Sequence, residues 1–412
     1  MTIIKRKFAV DIKDKKMAQS TNNPQSIETF LAQAGSRWDG KTGAVSMPIY
    51  QTATFGHPAL GQTTGFDYTR TSNPTRAVLE EVLARAEGGA KSFTFASGLA
   101  AIDAVMHLFV PGDQLIVTED IYGGTFRLFD KVLRPLGIKT IPVDTSDINA
   151  VRGAINPAVK GLFVESPTNP MLRVADLKAL AALAKTRGWT FIVDNTFLTP
   201  YFQRPLDIGA DISVYSATKY LSGHNDVLAG VVIVKDPVIA ERVGFFQNAI
   251  GAVLAPHDAW LLLRGLKTLP LRLRRQEQNA LMLARWLEQQ EWVAKVIYPG
   301  LAGHPGHARL KEQASGFGGM LAFEVHHNDN LKRGIERVNV FIFAESLGGV
   351  ESLITMPAVQ THADIAPAER ERLGINDRLL RISVGIEDPD DLINDLRQAF
   401  DPKAEAYSGG KS

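Results

Sequence analysis

The 412-residue chain contains no cysteine. That excludes disulfides, thiol nucleophiles and thiolate-ligated metals, and it fits a reducing compartment. Net charge is nearly absent too. Lys and Arg total 45 against 44 Asp and Glu, a balance of +1, so nothing draws the chain to a polyanion or an acidic membrane surface. No basic face with interleaved aromatics points to nucleic acid. No apolar run is long enough for a membrane span. The basic start "MTIIKRKFAVDIKDKK" has too short an apolar stretch for a signal peptide. The stretch "FASGLAAI" is not a Walker loop, since no GxxxxGK follows it, and it is not a GxGxxG dinucleotide loop. Internal repeats and low-complexity tracts are also absent. What remains is a cytoplasmic chain of ordinary composition, 45% hydrophobic and 22% charged, long enough for two or three domains.

Along the chain, about the first 25 residues are polar, and "QSTNNPQ" reads as a flexible lead-in, with Met17 an alternative start. Residues 42–75 are rich in Gly, Pro, Thr and aromatics without periodicity. A long irregular segment inside a compact domain is often functional, and an arm reaching a neighbouring subunit is one such use. "TRAVLEEVLARAEG" reads as an amphipathic helix closed by Gly. Then short β-branched runs alternate with helical stretches: "QLIVTED", "KTIPVD", "GLFVESP", "TFIVDN", "ISVYSA" and "GVVIVKD". This alternation predicts an α/β domain with a mostly parallel sheet covered on both faces. From "PHDAWLLLRG" the strands stop. A long helical region follows, with Pro270 a kink or break. "GGMLAFEV", "NLKRGIERV", "NVFIFAE", "LLRISVGIE" and "DPDDLINDLRQAF" then suggest a smaller α+β domain. The expected division is an arm and extension over 1–70, a large domain over 71–265 and a C-terminal domain over 266–412.

Several strand ends carry chemistry. In "FASGLAAIDAVMHLF", Ser97 caps an apolar helix whose free N–H groups suit a phosphate; a plain buried helix explains the same pattern. Asp194 ends "FIVDN", at the crevice where open α/β sheets bind ligands, or it is a loop cap. Lys219 follows "ISVYSA" within "SVYSATKYLSGHNDVLAG", flanked by Ser216 and Thr218. A desolvated lysine has a lowered pKa and forms Schiff bases. Tyr122 in "EDIYGGTFRLF" could stack on a flat cofactor, or be a loop tyrosine. Asn169 in "ESPTNP" could bond a phenolate oxygen, or serve the turn. Arg381 lies inside an apolar strand and needs an anion. A substrate carboxylate or an internal partner such as Glu387 or Asp388 would serve. A lysine, an acid for a ring nitrogen and a phosphate cradle form the parts list of pyridoxal phosphate (PLP).

Together "SATKYLSGHND", "VDNTF", "YGGTFRLF", "ESPTNP", "FASGLAAI", "YTRTSNPT" and "LLRISVGIED" resemble the Cys/Met-metabolism family of PLP-dependent enzymes, from about Gly35 to Phe400. That family includes cystathionine γ-synthase, the cystathionine γ- and β-lyases, methionine γ-lyase and O-acetylhomoserine sulfhydrylase. The resemblance implies the aspartate-aminotransferase type of PLP-dependent transferase fold, with a mostly parallel seven-stranded sheet, and a homotetramer of catalytic dimers. It implies Lys219 as Schiff-base lysine and proton shuttle, Asp194 at the ring nitrogen, Tyr122 stacked on the ring and Asn169 at the ring oxygen. Gly98, Leu99, Ser216 and Thr218 would hold the phosphate, joined by Tyr68 and Arg70 from the neighbouring subunit. Arg381, with the backbone at Ser346, would hold the α-carboxylate of a small amino-acid substrate. No metal is implied.

Glu345 stands where cystathionine γ-synthases and γ-lyases resemble each other in carrying Glu. A carboxylate there suits a substrate with a distal ammonium; a solvated loop glutamate is the alternative. Gly124 stands where methionine γ-lyases place a cysteine, which argues against that activity. "GHND" departs from the more frequent "GHGD" at Asn225. The expected activity is γ-replacement or γ-elimination on cystathionine or an O-acyl-homoserine. Cystathionine β-lyase, or O-acetylhomoserine sulfhydrylase or methionine γ-lyase, are the alternatives.

Overall fold

A computed structural model describes residues 25–403. The N-terminal lead-in and Met17 lie outside them. Seven strands form one sheet: β1 (Lys91–Phe95), β2 (Gln114–Thr118), β3 (Lys139–Val143), β4 (Val159–Glu165), β5 (Thr190–Asp194), β6 (Ile212–Ser216) and β7 (Gly230–Val234). Their order is β1-β7-β6-β5-β4-β2-β3. Strands β3, β2, β4, β5 and β6 run parallel, and β7 is antiparallel to both β6 and β1. The expected mostly parallel seven-stranded sheet is present. Every residue of β7 is buried, which is why it reads as a continuous apolar run rather than an alternation.

Helices cover both faces. The helix Pro74–Glu87 forms where the sequence predicts it. Asn73 caps it by accepting from Thr75 N–H, Pro74 opens it, and Gly88 closes it at φ 78°. At that angle only glycine is unstrained. Its Val78, Leu79, Val82, Leu83 and Ala86 face the sheet at helical spacing. Leu79 is fully buried, and truncating it to Ala should cost about 2–5 kcal/mol.

The helices Pro256–Leu266 and Leu269–Leu287 follow. Pro270 sits in the first turn of the second helix, where its missing N–H costs nothing. It starts a helix rather than bending one. A second sheet comes next: β8 (Val293–Ile297), β9 (Met320–Val325), β10 (Ile342–Phe343), β11 (Leu353–Thr355) and β12 (Leu379–Ser383). Its order is β10-β11-β12-β9-β8. The helices Asn328–Arg337 and Pro389–Phe400 pack with it around a separate core that includes Phe323, Leu380, Ile382 and Phe400. Residues 42–72 hold little regular structure. They fold back through one isolated bridge, Thr54 to Tyr68. Among the described residues, no helix is long and apolar enough to cross a membrane.

Candidate active site

The parallel arrangement brings the carboxyl ends of β2, β4, β5 and β6 to one edge. Ser216 ends β6, and Lys219 lies in the turn that follows it. Lys219 Nζ donates to Ser346 Oγ at 2.8 Å. Burial pushes its ammonium down to about 8, the Arg381 charge adds to that, and Glu345 opposes it. A lysine with that pKa is a neutral amine far more often at neutral pH than an exposed one.

Ser346 belongs to a loop pressed onto this turn. Its φ is 92°, a backbone strain that L-residues keep only where surroundings impose it. A Cβ on Gly348 would come within 2.6 Å of Tyr220 N, so glycine is needed for the approach. The Ser346 carbonyl accepts from Arg381 Nη2 at 2.9 Å. Arg381 Nη1 donates to Asn169 Oδ1 at 2.8 Å, and Nη2 also reaches Thr355 Oγ1 at 3.2 Å. Arg381 is 1% exposed and its Nε has no partner. No carboxylate lies within ion-pair distance of it among the described residues. Glu387 is committed to Ser352 Oγ at 2.8 Å, and Asp388 caps the last helix. The internal ion pair weighed from the sequence is therefore not made. A buried guanidinium held only by neutral oxygens is poised for an external anion, and burial pushes it down to about 10.

On the floor, Asp194 accepts from Thr196 Oγ1 at 2.6 Å and Thr196 N at 3.0 Å. Thr196 Oγ1 in turn accepts from Ser216 N at 2.9 Å, so one threonine ties the acid to the end of β6. Burial raises the Asp194 carboxyl above its usual range. Beside it in register stands Glu165. Burial raises Glu165 well above its usual range, and the Asp194 charge adds to this.

Tyr122 is 40% exposed at the crevice mouth. A Cβ on Gly124 would come within 2.5 Å of its ring, and one on Gly123 within 2.4 Å of Thr361 O. The Gly-Gly pair is thus fixed by two close approaches. Ser97 caps the helix Gly98–Met106 by accepting from Ala100 N at 3.1 Å. A Cβ on Gly98 would lie 3.0 Å from Ser216 Cβ, so the helix N-terminus abuts the end of β6. Leu99 follows, half-buried. The Thr218 hydroxyl accepts from Ala229 N at 2.9 Å and donates to Ala229 O at 3.2 Å.

Three expected residues stand apart from this cluster's bonds. Arg70 Nε donates to Asn248 at 3.3 Å, and its guanidinium lies 5.4 Å from the centre of the exposed Tyr68 ring. Glu345 is exposed and makes no hydrogen bond or ion pair among the described residues. Asn225 acquires a physical account. Its φ is 56°, a conformation glycine adopts freely and Asn tolerates. Its Nδ2 donates to Glu351 at 2.7 Å, which ties the Lys219 turn to the loop of Ser346.

The family model for Cys/Met metabolism PLP-dependent enzymes matches residues 28–401. The chain belongs to this family. Cystathionine beta-lyase of Lactococcus lactis subsp. cremoris is 49% identical over 92% of this chain and 100% of its own length. Cystathionine gamma-lyase of Bacillus subtilis is 49% identical over 91% of this chain and 99% of its own. Among solved structures, cystathionine gamma synthase from Xanthomonas oryzae pv. oryzae superposes with a TM-score of 0.91 at 41% identity, covering 93% of this chain and 100% of that one.

As a member of the family, the chain is an enzyme that uses PLP, and its residues fit that cofactor. They offer a buried lysine of lowered pKa, a carboxylate floor, a capped helix N-terminus and an unpartnered guanidinium nitrogen. The sequence reading missed Glu165, although "ESPTNP" contains it, because only the strand order sets it beside Asp194. It also missed Thr196, Thr355 and His362. His362 Nε2 bonds Asn169 O at 3.0 Å from the C-terminal segment, and nothing in "QTHAD" signals that contact.

Proposed function

We propose that the chain catalyses γ-replacement or γ-elimination on cystathionine or an O-acyl-homoserine. The carrying observation is the Lys219–Ser346–Arg381 chain of hydrogen bonds with Glu345 at its rim. When bound, PLP supplies an aldehyde for amine capture and a ring that accepts the electron pair left at the substrate α-carbon. Lys219 Nζ holds the cofactor, then takes the α-proton as a neutral amine and returns it. Ser346 Oγ aims that nitrogen. Arg381 binds the α-carboxylate, helped by the Ser346 carbonyl. Asp194 would hold the protonated ring nitrogen, Tyr122 would face the ring, and Asn169 would face its oxygen. Gly98, Leu99, Ser216 and Thr218 would hold the phosphate, with the Thr218 hydroxyl, now donating to Ala229 O, as one donor to it. Tyr68 and Arg70 complete the phosphate site of a neighbouring subunit, in a homotetramer. The chain works in the cytoplasm, with 71–265 as its PLP-binding domain, 1–70 as the arm and extension, and 266–412 as the C-terminal domain.

A β-lyase reading draws support from one observation: a relative named cystathionine beta-lyase is as similar, at 49%, as the one named cystathionine gamma-lyase. Incubation of the PLP-loaded enzyme with L,L-cystathionine separates the two. 2-Oxobutyrate reports Cγ–S cleavage and supports the proposal. Pyruvate reports Cβ–S cleavage and overturns it in favour of the β-lyase.

A further inference from the structure

The catalytic roles above leave the Glu165 carboxylate unused. It ends β4, 6% exposed. Its own N–H is held by Thr118 Oγ1 at 3.1 Å. Its two oxygens serve two different segments. Oε2 accepts the N–H of Tyr122 at 3.1 Å, and Oε1 accepts the N–H of Asn169 at 2.8 Å. Tyr122 belongs to the turn after β2, and Asn169 to the turn after β4. One carboxylate therefore sets the heights of both over the floor at Asp194. Through Asn169 Oδ1 it also reaches the guanidinium of Arg381.

This placement is costly. A buried anion beside Asp194 is repelled, and no lysine or arginine lies within ion-pair distance of Glu165 among the described residues. Two converging N–H groups explain part of the choice. A carboxylate brings an acceptor to each, whereas an amide brings one acceptor and a donor that faces an N–H. Burial and the Asp194 charge push Glu165 toward its neutral form, while the two N–H groups favour the carboxylate; a cationic ring nitrogen at Asp194 would tip that balance to the carboxylate and be held more firmly by it.

We infer that Glu165 is a positioning residue, which fixes Tyr122 and Asn169 around the cofactor ring and reinforces Asp194. The inference rests on placing the ring nitrogen at Asp194. Glu165→Gln and Glu165→Asp, with Asp194→Asn as control, test it in the full chain. The readouts are PLP affinity, the visible circular dichroism of bound PLP at saturation, and the melting temperature of the PLP-free protein. In Glu165→Gln the dichroic amplitude should fall by about half or more, and PLP should bind roughly tenfold more weakly. Glu165→Asp keeps both oxygens and should recover part of the amplitude. A Gln variant with wild-type affinity and dichroism overturns the inference, as does one that loses only melting temperature. If Asp194→Asn also binds PLP like wild type, the ring-nitrogen placement fails with it. If Asp194→Asn loses affinity while Glu165→Gln does not, the Glu165 inference alone fails.

Discussion

The crevice around Lys219 and the arm of residues 42–72 obey opposite rules. In the crevice, Arg381, Asn169, Glu165 and His362 are buried and pinned by bonds between distant parts of the chain. In the arm, Leu60 is fully exposed and Val45 is 78% exposed, although both are apolar. The crevice fixes its groups through contacts made within one chain. Those exposed apolar side chains are what the proposed contact of the arm with a neighbouring subunit would cover.

The sharpest break of the crevice is Lys219→Ala. It should remove the absorbance band of PLP joined covalently to the lysine and lower kcat by roughly 10³-fold or more, with the melting temperature of the PLP-free protein little changed. A retained band contradicts the assignment. Arg381→Met should come next, lowering kcat/KM by about 10²-fold, chiefly for substrates that carry an α-carboxylate. An equal loss with an amine lacking that carboxylate would assign Arg381 to structure instead.

The same substitution has a pH signature. PLP capture requires the neutral amine of Lys219, so the loading rate of the PLP-free enzyme should rise with pH through about 8. The Arg381 charge lowers that value, so Arg381→Met should move the midpoint upward. An unmoved midpoint would mean the two cations do not sense each other. Gly124→Ala forces a Cβ against the Tyr122 ring and should lower kcat/KM about tenfold, by displacing the ring at about 1–3 kcal/mol. Glu345→Gln, at an exposed site, should change KM for a substrate with a distal ammonium by only about threefold.

Much of the large sheet could be read from the sequence, because its strands, most of them buried, are short β-branched runs. β2 to β7 all fall on runs picked out in this way. β11 is only three residues long, and the middle of β8 is exposed, so neither leaves a pattern. Strand order is invisible to periodicity. Asp194 could be read as a strand-end acid, yet its neighbour Glu165 follows only from β4 lying beside β5. Arg381 was legible as a charge in need of an anion. Its partners Ser346, Thr355 and Asn169 lie 35, 26 and 212 residues away, which no local pattern encodes. Asn225 was a bare departure until its positive φ explained why glycine or asparagine stands there.

In the proposed assembly, each site joins the Lys219 crevice of one chain to the arm of another. Mixing Lys219→Ala with Arg70→Ala protein, each nearly inactive, tests it directly. Refolded together, the two should regain about a quarter of wild-type activity, the share left by random pairing into two-site dimers. No recovery in verified mixed oligomers would contradict the claim and confine each site to a single chain.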